Sequence, residues 1–178
     1  MDQRIYDAYV EILKEELVPA MGCTEPIAVA YAGALAKKTL GAMPQRVELC
    51  VSGNIIKNVK SVIVPATGGL HGLEAAISAG VVAACPERQL EVLSVLSKDD
   101  QIKISKFLCD CKITVDEMES PHTFDLELTA WAGEGTAGVR ISGNHTNVVS
   151  VKKNDMDVTP NFRCGVQSEQ TNQTDRSV

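Results

Sequence analysis

The chain has 178 residues, enough for one domain with a core, and its 44% hydrophobic and 22% charged residues indicate a folded protein rather than a disordered one. A formal net charge of −6 disfavours nucleic acid or an anionic membrane as the partner, because both would repel an acidic surface. We therefore expect a small-molecule or protein partner. The acidic, amphipathic start lacks the features of a signal peptide and no apolar run is long enough to span a bilayer, so we expect a cytoplasmic protein.

The first part of the chain is predicted to form two helices. Apolar side chains recur at helical spacing over residues 3–18, and Pro19 ends that helix. Residues 24–26 provide a threonine N-cap, an acidic residue and a proline, which together open an apolar helix through about Leu40. Gly41 closes it. A helix that is apolar on almost every side is usually buried.

One strand and one irregular connection are predicted next. The segment QRVELCVSG, residues 45–53, alternates like a strand with its valine and leucine residues on one face. The segment SGNIIKNVKSVIVPATGG, residues 52–69, is predicted as a polar, glycine-punctuated connection around a short β-rich run over residues 59–64. A small-residue helix is predicted over residues 70–84.

The second part of the chain is predicted to be mostly sheet. A cap at Ser97 opens a helix to about Leu108, and the period then changes to two in KITVDEM, TFDLELTAWAG, GTAGVRISG and HTNVVSVKKN. We expect an α+β fold with N-terminal helices followed by a mostly antiparallel sheet that carries helices on one side. Residues 1–160 would form a single domain, and residues 161–178 a polar, disordered tail.

Cys23 lies between Gly22 and the predicted start of the second helix. Free N–H groups and the helix dipole favour an anion there, so the pKa of the thiol should be lowered and the sulfur could bind a metal or act as a nucleophile. A buried structural cysteine beside a helix cap is the alternative. The six cysteines form no C-x-x-C pair, and we expect most of them to be small buried side chains.

Polar side chains in three further segments could bind a ligand. Amide and ammonium donors in SGNIIKN suit a carboxylate, and the glycine-rich PATGG could place backbone N–H groups against an anion. In GNHTN, His145 is the best placed of the chain's three histidines for acid–base chemistry. Solvated loops and plain turns are the alternatives for all three segments. The candidate residues are Asn54, Lys57, Asn58, Thr67, His145, Thr146 and Asn147.

Three strings in this order, AMGCTEPIAVAYA, RVELCVSGNIIKNVKSVIVPATGG and SGNHTNVVSV, resemble the serine dehydratase alpha-chain-like family, which includes the iron-sulfur L-cysteine desulfidases. The resemblance covers about residues 5–155, and GCTEPI is its most specific part. It implies an L-serine dehydratase or L-cysteine desulfidase type of lyase, in which a 4Fe-4S cluster acts as Lewis acid on the leaving group. Water or hydrogen sulfide would be released, giving a keto acid and ammonia without pyridoxal phosphate.

The resemblance also implies roles for particular residues. Cys23 would be a cluster ligand, and Lys57 and His145 would be catalytic. The family's other cluster cysteines have no counterpart here, so the chain would be a truncated N-terminal segment, inactive alone and completed by a C-terminal chain. The substrate-binding residues would be Asn54, Asn58, Thr67, Thr146 and Asn147.

Three interpretations of function remain open from the sequence. The first is the lyase segment, active only with a complementary chain. The second is a non-catalytic module that binds an amino acid through SGNIIKN and GNHTN. The third is a remnant without function, which would self-associate through apolar surface on residues 26–40 and 70–84.

Overall fold

The predicted α+β class is confirmed by the computed structural model, which describes residues 2–17 and 19–159. The tail predicted for residues 161–178 lies outside these ranges. The described helices are α1 (Gln3–Glu16), α2 (Thr24–Leu40), α3 (Gly53–Val59), α4 (Leu73–Ala83) and α5 (Asp100–Asp110), with 3₁₀ turns over Pro86–Val95. The described strands are β1 (Arg46–Val51), β2 (Lys112–Glu117), β3 (Asp125–Ala132), β4 (Gly135–Ser142), β5 (Val148–Lys153) and β6 (Met156–Asp157).

The described strands form one sheet in the order β2-β1-β3-β4-β5-β6. Neighbouring strands are antiparallel except for β1 and β2, which run parallel. A parallel pair needs a crossover connection, and α3, α4, the 3₁₀ turns and α5 lie in the chain between these two strands. The predicted antiparallel sheet is therefore right for β3 to β6, and β2 is the exception.

Helix α2 forms the centre of the core. Its residues from Pro26 to Ala36 are buried, and the inward residues of β3, such as Leu126 and Leu128, are fully buried in the same core. Helix α4 packs directly on α2, and a Cβ added to Gly80 would lie only 1.9 Å from the carbonyl oxygen of Ala30. The interpretation as a remnant without function expected residues 26–40 and 70–84 to be exposed. These two segments instead bury each other within this chain.

The segment SGNIIKN is a helix, not the predicted polar connection. In α3, Ile55 and Val59 are four residues apart and completely buried, whereas Asn54, Lys57 and Asn58 are exposed. This arrangement gives a short amphipathic helix with one polar face. The predicted β-rich run over residues 59–64 is reduced to an isolated bridge between Ile63 and His71.

Helix α1 confirms the predicted first helix but presents its apolar stripe to solvent. Tyr6, Tyr9 and Leu13 are each about half exposed. None of the described helices combines the length and the apolar character needed to cross a bilayer.

Candidate functional site

Three segments that are far apart in the sequence meet at the N-terminus of α2. They are the first turn of α2, the helix α3 and the turn that joins β4 to β5. We call the side chains that meet there the Glu25 cluster: Cys23, Thr24, Glu25, Asn58 and His145. The predicted site residues Cys23, Asn58 and His145 are thus brought together.

The carboxylate of Glu25 is the centre of this cluster. The Cys23 thiol donates a hydrogen bond of 3.0 Å to Oε2, and the Asn58 amide donates one of 3.2 Å to Oε1. The bond from Cys23 lowers the pKa of Glu25 most; partial burial opposes it, and Asn58 and His145 lower the pKa further. Glu25 is therefore ionised at neutral pH, and it occupies the first helical turn, where the dipole favours an anion.

Cys23 is the N-cap residue of α2, one position before the predicted cap at Thr24. Desolvation raises the pKa of its thiol, and the hydrogen bond to Glu25 raises it further. The predicted lowering of this pKa is wrong because the neighbouring carboxylate already holds the negative charge at the helix terminus. Cys23 is consequently a neutral thiol that donates a hydrogen bond.

His145 joins the cluster from the turn between β4 and β5. Its Nε2 lies 3.2 Å from Oγ1 of Thr24, and its ring packs on Phe124 with the ring centroids 4.3 Å apart. Desolvation lowers the pKa of His145, and the nearby charge of Glu25 partly offsets this. The imidazole is therefore neutral at pH 7. Its hydrogen bond to Thr24 connects it indirectly to Glu25, the next residue in the chain.

An ion pair between Arg140 and the buried Asp125 lies next to the segment that contacts the turn of His145. The side chain of Asp125 is 0% exposed, and it accepts hydrogen bonds from Arg140 at 2.9 and 3.2 Å and from Ser120 at 2.7 Å. Burial raises the pKa of Asp125, but the bonds from Arg140 and Ser120 outweigh this and the net pKa is lowered. The adjacent carbonyl of Phe124 accepts from the N–H of Gly143, so the ion pair and the turn that carries His145 are connected.

The remaining predicted site residues lie on α3, in the turn that contains Thr67 and in the β4–β5 turn. Asn54 and Lys57 are exposed on the same helix as Asn58. Thr67 is buried and its hydroxyl bonds to main-chain atoms of its own turn, and the Asn147 side chain likewise bonds to the main chain of the β4–β5 turn. Thr146 is partly buried in that turn. Their part in ligand binding stays a prediction.

Thr24 and Glu25 are the functional candidates that the sequence reasoning missed. It used them only as the cap and the acidic first turn of α2. The available signal was that these two polar residues directly follow a cysteine at the start of an otherwise apolar helix. Their side chains therefore had to lie at the helix terminus together with Cys23.

Among the described residues, no group of three or more His, Cys, Asp or Glu side chains could hold a metal ion. In the Glu25 cluster, the thiol of Cys23 is instead engaged by the carboxylate of Glu25. The described residues therefore provide no metal site of their own, contrary to the expected metal-binding character, whereas Cys23 as one ligand of an iron-sulfur cluster completed from outside this chain stays a prediction.

Comparison with known proteins gives relatives named UPF0597 proteins. A UPF0597 protein of Desulfitobacterium hafniense is 46% identical over 151 residues, which cover 85% of this chain and 35% of that protein. A UPF0597 protein of Finegoldia magna is 47% identical, and one of Treponema denticola is 39% identical; both match across 36% of their own length and across 83% and 87% of this chain. The chain is similar to UPF0597 proteins. It spans about a third of the length of these relatives.

No protein-family model and no solved structure matches the chain. The names of the UPF0597 relatives mention neither a lyase nor an iron-sulfur cluster. The expected membership of the serine dehydratase alpha-chain-like and desulfidase family is therefore wrong, and so is the interpretation as a truncated segment of such a lyase. Three expectations stay predictions: an iron-sulfur cluster completed by ligands from outside this chain, a complementary chain, and self-association.

Proposed function

We propose that the Glu25 cluster binds the ammonium group of a small amino acid. The observation that supports this most directly is an ionised carboxylate that is oriented by donors from separate segments and only partly buried. Oε2 accepts from Cys23 and, at 3.5 Å, from Thr24, whereas Oε1 accepts from Asn58 and keeps a lone pair for a ligand donor. A carboxylate held in this way is a strong acceptor for an ammonium group, because the hydrogen bond is charge-assisted.

The surroundings of Glu25 favour a zwitterionic ligand. Cys23 and His145 are neutral at pH 7, so the charge on Glu25 is the main charge within the cluster. On α3, Lys57 directly precedes Asn58 and is exposed. We assign Lys57 to the carboxylate of the amino acid, while Asn58 fixes the position of the Glu25 side chain.

Calorimetric titration with the natural amino acids tests this proposal. We expect at least one of them to bind with a dissociation constant of roughly 10 μM to 1 mM, a range that corresponds to about 4 to 7 kcal/mol. Its N-acetyl derivative should bind at least about ten-fold more weakly, because acetylation removes the charged donor. Equal binding of the two compounds, or no binding of any amino acid, would refute the proposal.

Two isosteric substitutions locate the site. Glu25→Gln removes the charge with little change of shape and should weaken binding about ten-fold or more. Glu134→Gln makes the same change at an exposed position in the β3–β4 turn, at the far end of β4 from His145, and should leave binding unchanged. An equal loss in both variants would show that general surface charge, rather than the Glu25 cluster, attracts the ligand.

A further inference from the structure

A cavity of about 540 Å³ lies at the other end of α2 from the Glu25 cluster. It opens between the loop after α2, the C-terminal end of α4 and the helix α5. Because α2 has 17 residues and an α-helix rises 1.5 Å per residue, the two sites are separated by about 25 Å. The volume falls within the range of about 300–1,000 Å³ that is usual for small-molecule sites.

The lining of this cavity is mainly apolar. Phe107 and Cys111 are 6% and 7% exposed, Pro44 is buried, and Met43 and Val82 complete the apolar lining. Burial raises the pKa of Cys111, so its thiol is uncharged and contributes an apolar surface. A ligand here would gain affinity from removing its own apolar surface from water.

The charged side chains of the lining are of mixed sign. Lys103 and Lys106 lie three residues apart on one face of α5 and are both exposed, and Asp110 is the acidic residue of the lining. Lys103 also pairs with Asp100 at 2.7 Å. Since Asp100 neutralises Lys103, Lys106 is the lining ammonium group that makes no ion pair among the described residues, and it can receive a carboxylate at the mouth of the cavity.

We propose that this cavity binds an organic monocarboxylate with an apolar body, of the class of medium-chain fatty acids. The apolar body would lie against Phe107, Cys111 and Val82, and the carboxylate would point outward to Lys106. An uncharged molecule of the same shape would lose the contact with the ammonium group. A cationic one would be repelled by it.

Calorimetric titration with decanoate, decanol and decylamine, each below the concentration at which it aggregates, tests the ligand class. We expect decanoate to bind with one-to-one stoichiometry. Decanol should bind about five-fold more weakly, the upper range for an exposed ion pair, and decylamine more weakly still. No decanoate binding, or equal affinity for decanol, would overturn the proposal.

Substitutions then place the ligand in the cavity. Val82→Phe adds bulk to the wall and should weaken decanoate binding more than twenty-fold, while Lys106→Glu reverses the charge at the mouth and should weaken it about five- to ten-fold. Lys60→Glu is the matched control, because this exposed lysine follows α3 and lies beyond the opposite end of β1.

Lys106→Glu is a surface change, so it tests the proposal even if Val82→Phe fails to fold. Equal binding to the Lys106→Glu and Lys60→Glu proteins would overturn it. Amino-acid binding at the Glu25 cluster should be the same in Val82→Phe and Lys106→Glu, so failure of either proposal is recognised separately. A change in oligomeric state on substitution of Lys106, without decanoate binding, would show that this surface contacts another protein chain instead.

Discussion

Replacement of Arg140 by methionine should destabilise the fold strongly. Methionine keeps much of the volume of the arginine side chain but removes its charge. The guanidinium donates two hydrogen bonds to Asp125, whose side chain is 0% exposed. In Arg140→Met, Ser120 remains as a donor to a buried carboxylate. Removing Arg140 is costly because the buried carboxylate of Asp125 then has no counter-ion and little access to water.

The magnitude follows from the exposure of the two partners. Breaking a fully buried pair costs about 3–5 kcal/mol, but Arg140 is 41% exposed, so water can replace part of its contribution. Asp125 can also take up a proton, and protonating a carboxyl of the ordinary pKa of about 3.9 at pH 7 costs about 4 kcal/mol, which limits the loss. We therefore expect Arg140→Met to reduce the free energy of unfolding by roughly 2–4 kcal/mol.

Urea unfolding measured at several pH values is the assay. In the wild type the pKa of Asp125 is lowered, so its contribution is present above the unfolded pKa of about 3.9 and is lost as the pH falls through the folded value. In Arg140→Met the pKa should be raised instead, so the deficit should shrink between pH 7 and pH 5. Adding Asp125→Asn should restore part of the stability.

Arg46→Met is the control for the loss of an arginine from the same sheet. Arg46 pairs with Glu48 and stacks on Trp131 at 4.2 Å, but its side chain is 48% exposed. Its loss should cost about 1 kcal/mol or less. A similar cost for Arg140→Met, or a deficit independent of pH, would refute the reasoning about the buried carboxylate.

Three further outcomes are expected. Gly80→Ala should destabilise the protein by about 3 kcal/mol in the same assay, because the new methyl group collides with the backbone of α2, while Gly138→Ala, whose nearest atom would be 3.9 Å away, should stay close to wild type. Cys23 should be alkylated slowly at pH 7 and faster in Glu25→Gln, measured by peptide mass spectrometry, because Glu25 raises the pKa of the thiol. The imidazole of His145 should titrate below the ordinary value of about 6.5 by NMR and lower still in Glu25→Gln, because burial lowers its pKa while Glu25 raises it.

The sequence predicted most of the fold because the long elements carry strong periodic signals. The apolar run of α2 and the alternation of β3 and β4 need no knowledge of distant residues to be recognised. Helix α3 was missed because its seven residues contain only one buried pair at helical spacing, Ile55 and Val59, among residues typical of loops. The parallel direction of β2 was missed because it depends on the crossover from β1, which local periodicity does not report.

The candidate site could be predicted only in part. The sequence singled out Cys23, Asn58 and His145, but nothing in it places positions 23, 58 and 145 together. That proximity comes from packing α3 and the β4–β5 turn against the same end of α2. The charge was also assigned to the wrong atom, since a helix terminus favours an anion without specifying whether the sulfur or the neighbouring carboxylate provides it.

The position of the proton in the Glu25 cluster determines which ligands it can accept. The pKa of Glu25 is lowered and that of Cys23 is raised, so the proton stays on the sulfur and the charge stays on the carboxylate. A soft metal ion would have to displace that proton and break the hydrogen bond to Glu25 before it could bind the thiolate. An ammonium group needs neither change, because it meets an acceptor that is already charged and held in place by Cys23 and Asn58. The same hydrogen bond that weakens Cys23 as a nucleophile therefore strengthens Glu25 as a binding group.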